Sequence, residues 1–343
     1  MTQQHLYARE VTPVRAETWP SVRHTVLSWQ RRWPVMQLIA LVALSGYGAG
    51  TISGFASVFS LRSMLVIAAL LGLASLGQTV VILIGGIDLS VGSFIAAGSV
   101  FSSELGVTHH WPFPLVLVAL VGASGVVGGA TGYAASKFGV QPLVLTLGTA
   151  ALVLGALQVW LNGAAAGAAP AWASTLTSPA SHTFGVGIPP IAVAWLIVAL
   201  LAGLVLRRTR IGRWVYATGA NPRAARFALV PTTGVWTGAF AASAVSAAIV
   251  GVLLSGYAGG GDLTIGNPYV FGTIAAVMVG GTSFVGAKGD YWRTVLGALL
   301  LTLMTTILIG GGASDAVEQI IFGALILVVV FGYGRGRPLR DQI

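Results

Sequence analysis

One acidic side chain follows a long apolar stretch of the chain, and glycines flank it on both sides. Asp88 comes directly after a run without charged residues over positions 63–87, inside the string GGIDLSVG at 85–92. A carboxylate at mid-membrane costs about 2.5–3.5 kcal/mol, so such a group normally faces a polar cavity or a hydrogen-bond donor. The glycines predict a broken or sharply turned helix whose freed backbone groups face protein or water.

Two roles are open for Asp88, and they do not exclude each other. Its carboxylate can cap the next helix by accepting bonds from the free N–H groups of the first turn. Alternatively, it contacts a solute that passes through the bundle. A second Gly-Gly pair ends another apolar span at residues 280–290. We expect the translocation pathway at these two breaks, with candidate residues Gly85, Gly86, Asp88, Ser90, Gly92, Gly280, Gly281, Thr282 and Ser283.

Few other polar or aromatic side chains occur within the apolar spans. Each can bond a hydroxyl-rich solute or stack on it, but such side chains more commonly hold neighbouring helices together or pack at an interface. The candidates for lining a solute pathway are Gln78, Thr146, Thr149, Asn162 and Phe271.

The longest basic connection, residues 207–232, contains six arginines. Within it, Asn221 and Pro222 predict a helix start, because Asn caps free N–H groups and Pro suits the first turn. A short amphipathic helix here is a docking element, and the alternative is a plain basic loop. The residues of the docking element are Gly219, Asn221, Pro222, Arg223, Ala224, Ala225 and Arg226.

Composition places most of the chain in lipid. Of its 343 residues, 55% are hydrophobic and only 8% are charged, whereas soluble proteins have about 25% charged residues. The net charge of +9 is explained by basic residues beside cytoplasmic helix ends, so we expect no nucleic-acid partner. No nucleotide-binding P-loop, HExxH or GxSxG motif occurs, which predicts a chain with no catalytic residues, no metal and no cofactor.

The charge-free runs predict an all-α polytopic membrane protein with about ten spanning helices. Seventeen of the 18 Lys and Arg residues then fall on one side, which predicts that both termini are cytoplasmic. The expected organisation is a cytoplasmic arm over 1–35, a transmembrane domain over 36–333 and a cytoplasmic tail over 334–343. Five spans per half predict a 5+5 inverted repeat, in which the breaks at 85–92 and 280–290 correspond. The expected spans are 36–57, 64–84, 92–107, 113–136, 142–161, 189–206, 233–256, 267–284, 293–310 and 317–333.

Four motifs, in order along the chain, carry a resemblance to a known family. They are GGIDLSVG at 85–92, TLGT at 146–149, RRTRIGR with YATGANP at 207–222, and IAA with GGTS at 274–283. Together they resemble the permeases of ribose/xylose/arabinose-type sugar ABC transporters. The region from 269 to 274 lacks the acidic residues of many relatives, which leaves the solute open.

The resemblance implies a subunit of the bacterial inner membrane that imports a sugar-like small molecule by alternating access. It also implies cytoplasmic ATPase subunits docked on residues 219–227, a periplasmic substrate-binding protein, and a second permease copy or paralogue. Two alternatives remain at this point. One is a related ABC permease for nucleosides or amino acids. The other is an ion-coupled transporter, for which several intramembrane acids are expected, whereas only Asp88 qualifies.

Overall fold

Residues 34–162 and 167–334 are described by a computed structural model, in which every regular element is a helix. The predicted N-terminal arm and C-terminal tail lie almost entirely outside these residues. The helices are α1 Val35–Thr51, α2 Val58–Leu83, α3 Val91–Phe101 with a π-helical extension Ser102–Thr108, α4 Phe113–Phe138, α5 Pro142–Leu161, α6 Ala171–Thr177, α7 Pro190–Arg208, α8 Arg210–Ala220, α9 Pro222–Phe227, α10 Thr232–Ala258, α11 Asn267–Val279, α12 Tyr291–Gly310 and α13 Asp315–Gly334.

Six helices in the described part of the chain are long and apolar enough to cross a membrane, namely α2, α4, α5, α7, α10 and α12. Shorter apolar stretches are Val35–Thr51, Asn267–Val279 and Ala316–Val328. Each of the ten predicted spans overlaps a helix, but the count of ten spanning helices stays a prediction. The protein is therefore an all-α polytopic membrane protein, as the composition predicts.

The largest boundary error lies near the start of the membrane region. The span predicted over 36–57 ends at Thr51, because a turn containing Gly54, with φ +75°, follows. Helix α2 begins at Val58 rather than 64, since the Ser57 side chain caps it by accepting a bond from the Ser60 N–H. Similarly, the span predicted to reach 284 ends at Val279, just before Gly280.

Helices α2 and α10 form the centre of the bundle, and small residues allow their close approach. A Cβ on Gly77 would overlap the backbone of Ser243, so the two helices touch at this point. Helix α3 crosses α10 in the same way: a Cβ on Gly98 would overlap the carbonyl oxygen of Ala248, and one on Gly251 would overlap that of Ile95. Close packing of small residues stabilises helix association in lipid, where burial of apolar area contributes little.

An internal repeat relates the two halves of the chain. The strings GGIDLSVG at 85–92 and GGGDLTIG at 259–266 share both leading glycines, the Asp-Leu pair and the last glycine. The same 174-residue offset relates Val58, where α2 begins, to Thr232, where α10 begins. The predicted correspondence of 85–92 with 280–290 is therefore wrong, and the true counterpart of 85–92 is the string at 259–266.

The repeat is inverted in space. Helices α3 and α11 each follow a repeated string, and their first turns meet where a Cβ on Gly92 or Gly266 would overlap the other glycine's backbone. From this contact α3 leads to Glu104, which accepts a bond from the Gly167 N–H on one face of the bundle. Helix α11 leads to Gly280 and on to the loop 281–290, which meets the basic connection where a Cβ on Gly219 would lie 3.0 Å from the Ala287 backbone nitrogen. Two short helices thus run apart from a shared central point, as an inverted repeat requires, and five spans in each half stay a prediction.

We expect Gly251→Ala to destabilise the protein by about 1–3 kcal/mol, because the added methyl group must push α3 away from α10. Gly238 lies in the same helix with nothing within 4 Å of an added Cβ, so Gly238→Ala is the matched control. Thermal unfolding in detergent, followed by loss of the monodisperse elution peak, measures the difference. Equal melting temperatures for the two variants would contradict the close packing described above.

Candidate translocation site

The predicted break at residues 85–92 is present, and its backbone turns twice. Helix α2 ends at Leu83, Gly85 adopts φ +85°, and mostly buried residues without regular secondary structure follow until α3 begins at Val91. Gly85 stands where a side chain would be strained, since positive φ favours glycine. The segment from 84 to 90 is therefore a re-entrant segment, which we call the first re-entrant segment.

Asp88 holds the turn that starts α3, but it is not the cap of that helix. The N-cap residue is Ser90, whose side chain makes no capping bond. Instead, the Asp88 Oδ1 accepts a 2.8 Å bond from the Ser90 N–H and a second bond from the Ser90 hydroxyl. The capping prediction is therefore wrong. The Asp88 carboxylate accepts hydrogen bonds from Ser90, the residue before the helix, rather than from N–H groups of the first turn.

The surroundings of Asp88 are closed to solvent. Its side chain is 1% exposed, and the Ser243 hydroxyl of α10 faces the carboxylate without the geometry of a full hydrogen bond. Gly86 packs beside Trp236 and Phe240, whose rings stack with centroids 5.8 Å apart. The carboxylate thus lies at the contact between the first re-entrant segment and the central helix α10.

Gln78 is the predicted lining residue whose buried polar atoms have no protein partner among the described residues. Its side chain is fully buried, and neither its amide nitrogen nor its amide oxygen has a hydrogen-bond partner. Gln78 follows Gly77, the residue that touches Ser243. Buried polar atoms of this kind cost about 1–3 kcal/mol each unless water or a ligand satisfies them.

The other predicted lining residues are engaged elsewhere. The Thr149 hydroxyl lies 2.8 Å from that of Thr131 on α4. Thr149 therefore holds two helices together, which is one of the two roles predicted for it. Thr146 donates to the carbonyl of Leu143 one turn earlier. Asn162 forms the left-handed end of α5 with φ 47°, and Phe271 is 56% exposed on the bundle surface. None of these contacts brings the four side chains to Asp88.

The Gly280-Gly281 pair does not form a second break at the centre. Gly280 ends α11, Gly281 adopts φ +99°, and residues 281–290 fold into a loop in which the Ser283 N–H donates to the Lys288 carbonyl. The loop reaches the end of α2, where the Ala287 N–H donates a 2.8 Å bond to the Leu83 carbonyl. Thr282 and Ser283 are buried in this loop, away from the Gly92–Gly266 contact.

Sequence reasoning missed the second re-entrant segment, residues 259–266. Its turn repeats that of Asp88: the Asp262 Oδ1 accepts bonds from the Thr264 N–H at 2.7 Å and from the Thr264 hydroxyl at 2.9 Å. Asp262 is exposed, whereas Asp88 is buried. The repeated GG-x-DL pattern followed by glycine was the signal that identifies this segment, because it recurs at a constant offset.

The predicted helix start in the basic connection is confirmed. The Asn221 side chain accepts bonds of 3.0 Å from the N–H groups of Arg223 and Ala224, and Pro222 is the first residue of α9. Within this helix Ala225 is buried, whereas Phe227 and, just after the helix, Leu229 are each 91% exposed. An exposed Arg223 next to these apolar side chains forms a surface suited to a protein partner. Among the described residues, no group of three or more His, Asp or Glu side chains is placed to hold a metal ion.

Comparison with known proteins places the chain in a family. The model of the branched-chain amino acid transport system / permease component family matches residues 60–330. The ribose import permease protein of Escherichia coli strain K12 is 32% identical over 300 residues, which cover 85% of this chain and 91% of that protein. The autoinducer 2 import system permease protein of Salmonella typhi is 30% identical over 268 residues, covering 76% and 79%. No solved structure matches the chain.

The family match over residues 60–330 includes both re-entrant segments, the central helices and the basic connection, so it concerns most of the membrane bundle rather than one motif. The chain belongs to the permease family of sugar ABC importers, as a membrane-spanning transport component and not an enzyme.

Proposed function

We propose that the chain forms half of the pathway of an ATP-driven importer for a sugar or sugar-like solute. The observation that carries this proposal is the centre of the bundle, where Asp88 lies beside Ser243 of α10 and Ser243 touches Gly77, the residue before Gln78. The unpartnered amide atoms of Gln78 suit a solute rich in hydroxyl groups, which donate and accept hydrogen bonds. The relatives that import ribose and autoinducer 2 support the same solute class.

The proposed mechanism is alternating access around the contact between Gly92 and Gly266. Two re-entrant segments enter from opposite faces and end at this point, so each one closes one side of the pathway. ATP binding by separate ATPase subunits moves the basic connection and with it the first re-entrant segment. The second permease of the complex, a copy or a paralogue, supplies the other half of the pathway.

We propose the bacterial inner membrane as the location, with both termini in the cytoplasm. The distribution of 17 of 18 basic residues supports this orientation. The remaining basic residue, Arg62, lies 3.4 Å from the His182 ring nitrogen of the loop between α6 and α7, on the face assigned to the periplasm. A periplasmic substrate-binding protein then delivers the solute to that face.

A related solute class has a specific observation in its favour. The description of the matching family names branched-chain amino acid transport, so an amino acid is the second candidate. Reconstitution with the cognate ATPase subunits and binding protein, followed by uptake of labelled sugars and amino acids, decides between them. Uptake that follows an ion gradient without ATP would disprove both and favour an ion-coupled transporter.

The α9 surface can be tested by charge reversal. We expect Arg223→Glu to reduce the recovery of ATPase subunits on the purified permease at least fivefold, because its side chain is exposed on the proposed docking helix. Arg208→Glu, an exposed basic residue at the end of α7, controls for the change in net charge. Equal recovery of ATPase with both variants would contradict the docking role of α9.

Asp262, which makes the same hydrogen bonds in the second repeated turn, provides a matched control for Asp88. Asp88→Ala leaves the Ser90 N–H and hydroxyl without their acceptor in a buried place, and we expect at least tenfold lower uptake together with reduced thermal stability. Asp262→Ala removes the same bonds where water can replace them, so its effect should be clearly smaller. Equal losses of uptake and stability in both variants would contradict the view that burial makes the Asp88 hydrogen bonds more important than those of Asp262.

The variant Gln78→Leu tests whether Gln78 contacts the solute or has a structural role, because the two roles predict different changes in stability. Gln78→Leu removes two unpartnered buried polar atoms, so stability should stay equal or rise. If the amide binds solute, the KM for uptake should rise about tenfold or more, as expected for a lost hydrogen bond to a polar ligand. Lower stability with unchanged KM would instead identify Gln78 as a structural residue.

A further inference from the structure

The docking element predicted from the sequence begins at Gly219, but the structure places this half-buried glycine in the last turn of α8, against the end of α2, rather than on the exposed surface of α9. A Cβ on Gly219 would overlap the carbonyl oxygen of Leu83 and would lie 3.0 Å from the Ala287 backbone nitrogen. Leu83 is the last residue of α2, directly before the first re-entrant segment. Three backbone stretches that are far apart in sequence therefore meet here, and we call their contact the Gly219–Leu83–Ala287 junction.

The loop 281–290 fastens this junction from the other side. Besides the bond from the Ala287 N–H to the Leu83 carbonyl, the Tyr216 hydroxyl donates a 2.8 Å bond to the Gly289 carbonyl. The Arg207 guanidinium at the end of α7 forms a 2.6 Å ion pair with Asp290. Burial raises the pKa of Tyr216, so its hydroxyl stays protonated and able to donate well above neutral pH. The basic connection, the loop and the end of α2 are thus tied together.

Gly286 packs closely against the same junction. A Cβ on Gly286 would come within 3.0 Å of the Leu83 carbonyl oxygen and 3.2 Å of both the Gly219 carbonyl oxygen and the Gly85 nitrogen. Gly85 is the residue with positive φ at which the chain turns into the re-entrant segment. Because close-packed backbone transmits displacement, a shift of α8 must move this turn.

The second re-entrant segment is fastened in a corresponding way on the opposite face. Ala168 and Gly260 form an antiparallel bridge, in which the Ala169 N–H donates to the Gly259 carbonyl and the Gly261 N–H donates to the Gly167 carbonyl. Gly259 is the counterpart of Gly85 in the repeat. Each glycine turn is thus tied by backbone contacts to a loop from the other half of the chain.

We propose that the Gly219–Leu83–Ala287 junction is the joint through which movement of the ATPase-docking helix α9 reaches the first re-entrant segment, with Gly219 as its positioning residue. The loop 281–290, which follows the second Gly-Gly pair, holds α8 and the end of α2 in contact at this junction. This inference rests on the proposed function, because it assigns a path to the coupling of that same pathway. It predicts that a defect at Gly219 separates ATP hydrolysis from transport while leaving ATPase docking intact.

The test compares Gly219→Ala with Gly122→Ala in the reconstituted complex. Both glycines lie in helices, where Ala is the better helix former, so neither exchange weakens its own helix. Only Gly219 meets backbone atoms; Gly122 has nothing within 4 Å of an added Cβ. We expect Gly219→Ala to keep ATPase recovery and ATP hydrolysis but to lower solute uptake per ATP at least tenfold, and Gly122→Ala to match the unchanged protein.

A milder variant covers the case in which Gly219→Ala fails to assemble. Tyr216→Phe removes only the bond to the Gly289 carbonyl, and we expect uptake per ATP to fall about two- to fivefold with normal yield. The inference is overturned if uptake and ATP hydrolysis fall in proportion in these variants, which indicates lost docking, or if uptake per ATP is unchanged. Failure of the proposed function is distinguishable, because then the unchanged chain itself supports no ATP-dependent uptake.

Discussion

A helix that breaks inside a bilayer leaves backbone N–H and C=O groups where no water can reach them, and the centre of this protein depends on how they are satisfied. At each re-entrant segment an Asp carboxylate accepts both the backbone N–H and the hydroxyl of the residue two positions later, Ser90 or Thr264. The same pair of hydrogen bonds therefore occurs twice, at the buried Asp88 and at the exposed Asp262. This turn allows α3 and α11 to begin at the middle of the bundle, against each other.

The inverted repeat gives this arrangement a functional meaning. The two segments meet at Gly92 and Gly266, so in the proposed alternating access a small relative displacement would close one segment and open the other. Membership in a family of import permeases agrees with such a design. The backbone junctions at Leu83 and Gly260 then connect each segment to a loop on the face where a partner subunit is expected.

Glycine has two different roles in this bundle. At Gly85 and Gly259 it allows the positive φ of the turns, whereas at Gly98, Gly219 and Gly251 it removes a side chain so that two backbones touch. The second role explains the glycines at these helix contacts without any appeal to flexibility. Contacts of this kind are rigid, and they therefore suit the transmission of movement.

The sequence by itself determined the membrane character, the position of most helices, the break at Asp88 and the helix start at Asn221. These features depend on local composition: a run of apolar residues dissolves in lipid, and glycine, proline and asparagine act on their own neighbours. Only the tertiary structure decided that the helices after 85–92 and 259–266 touch at Gly92 and Gly266, and that loop 281–290 ties α2 to the basic connection. It also decided that Thr149 bonds Thr131, while Gln78 has no partner among the described residues. Such facts depend on contacts between residues distant in sequence, and many arrangements of helices satisfy the same apolar pattern.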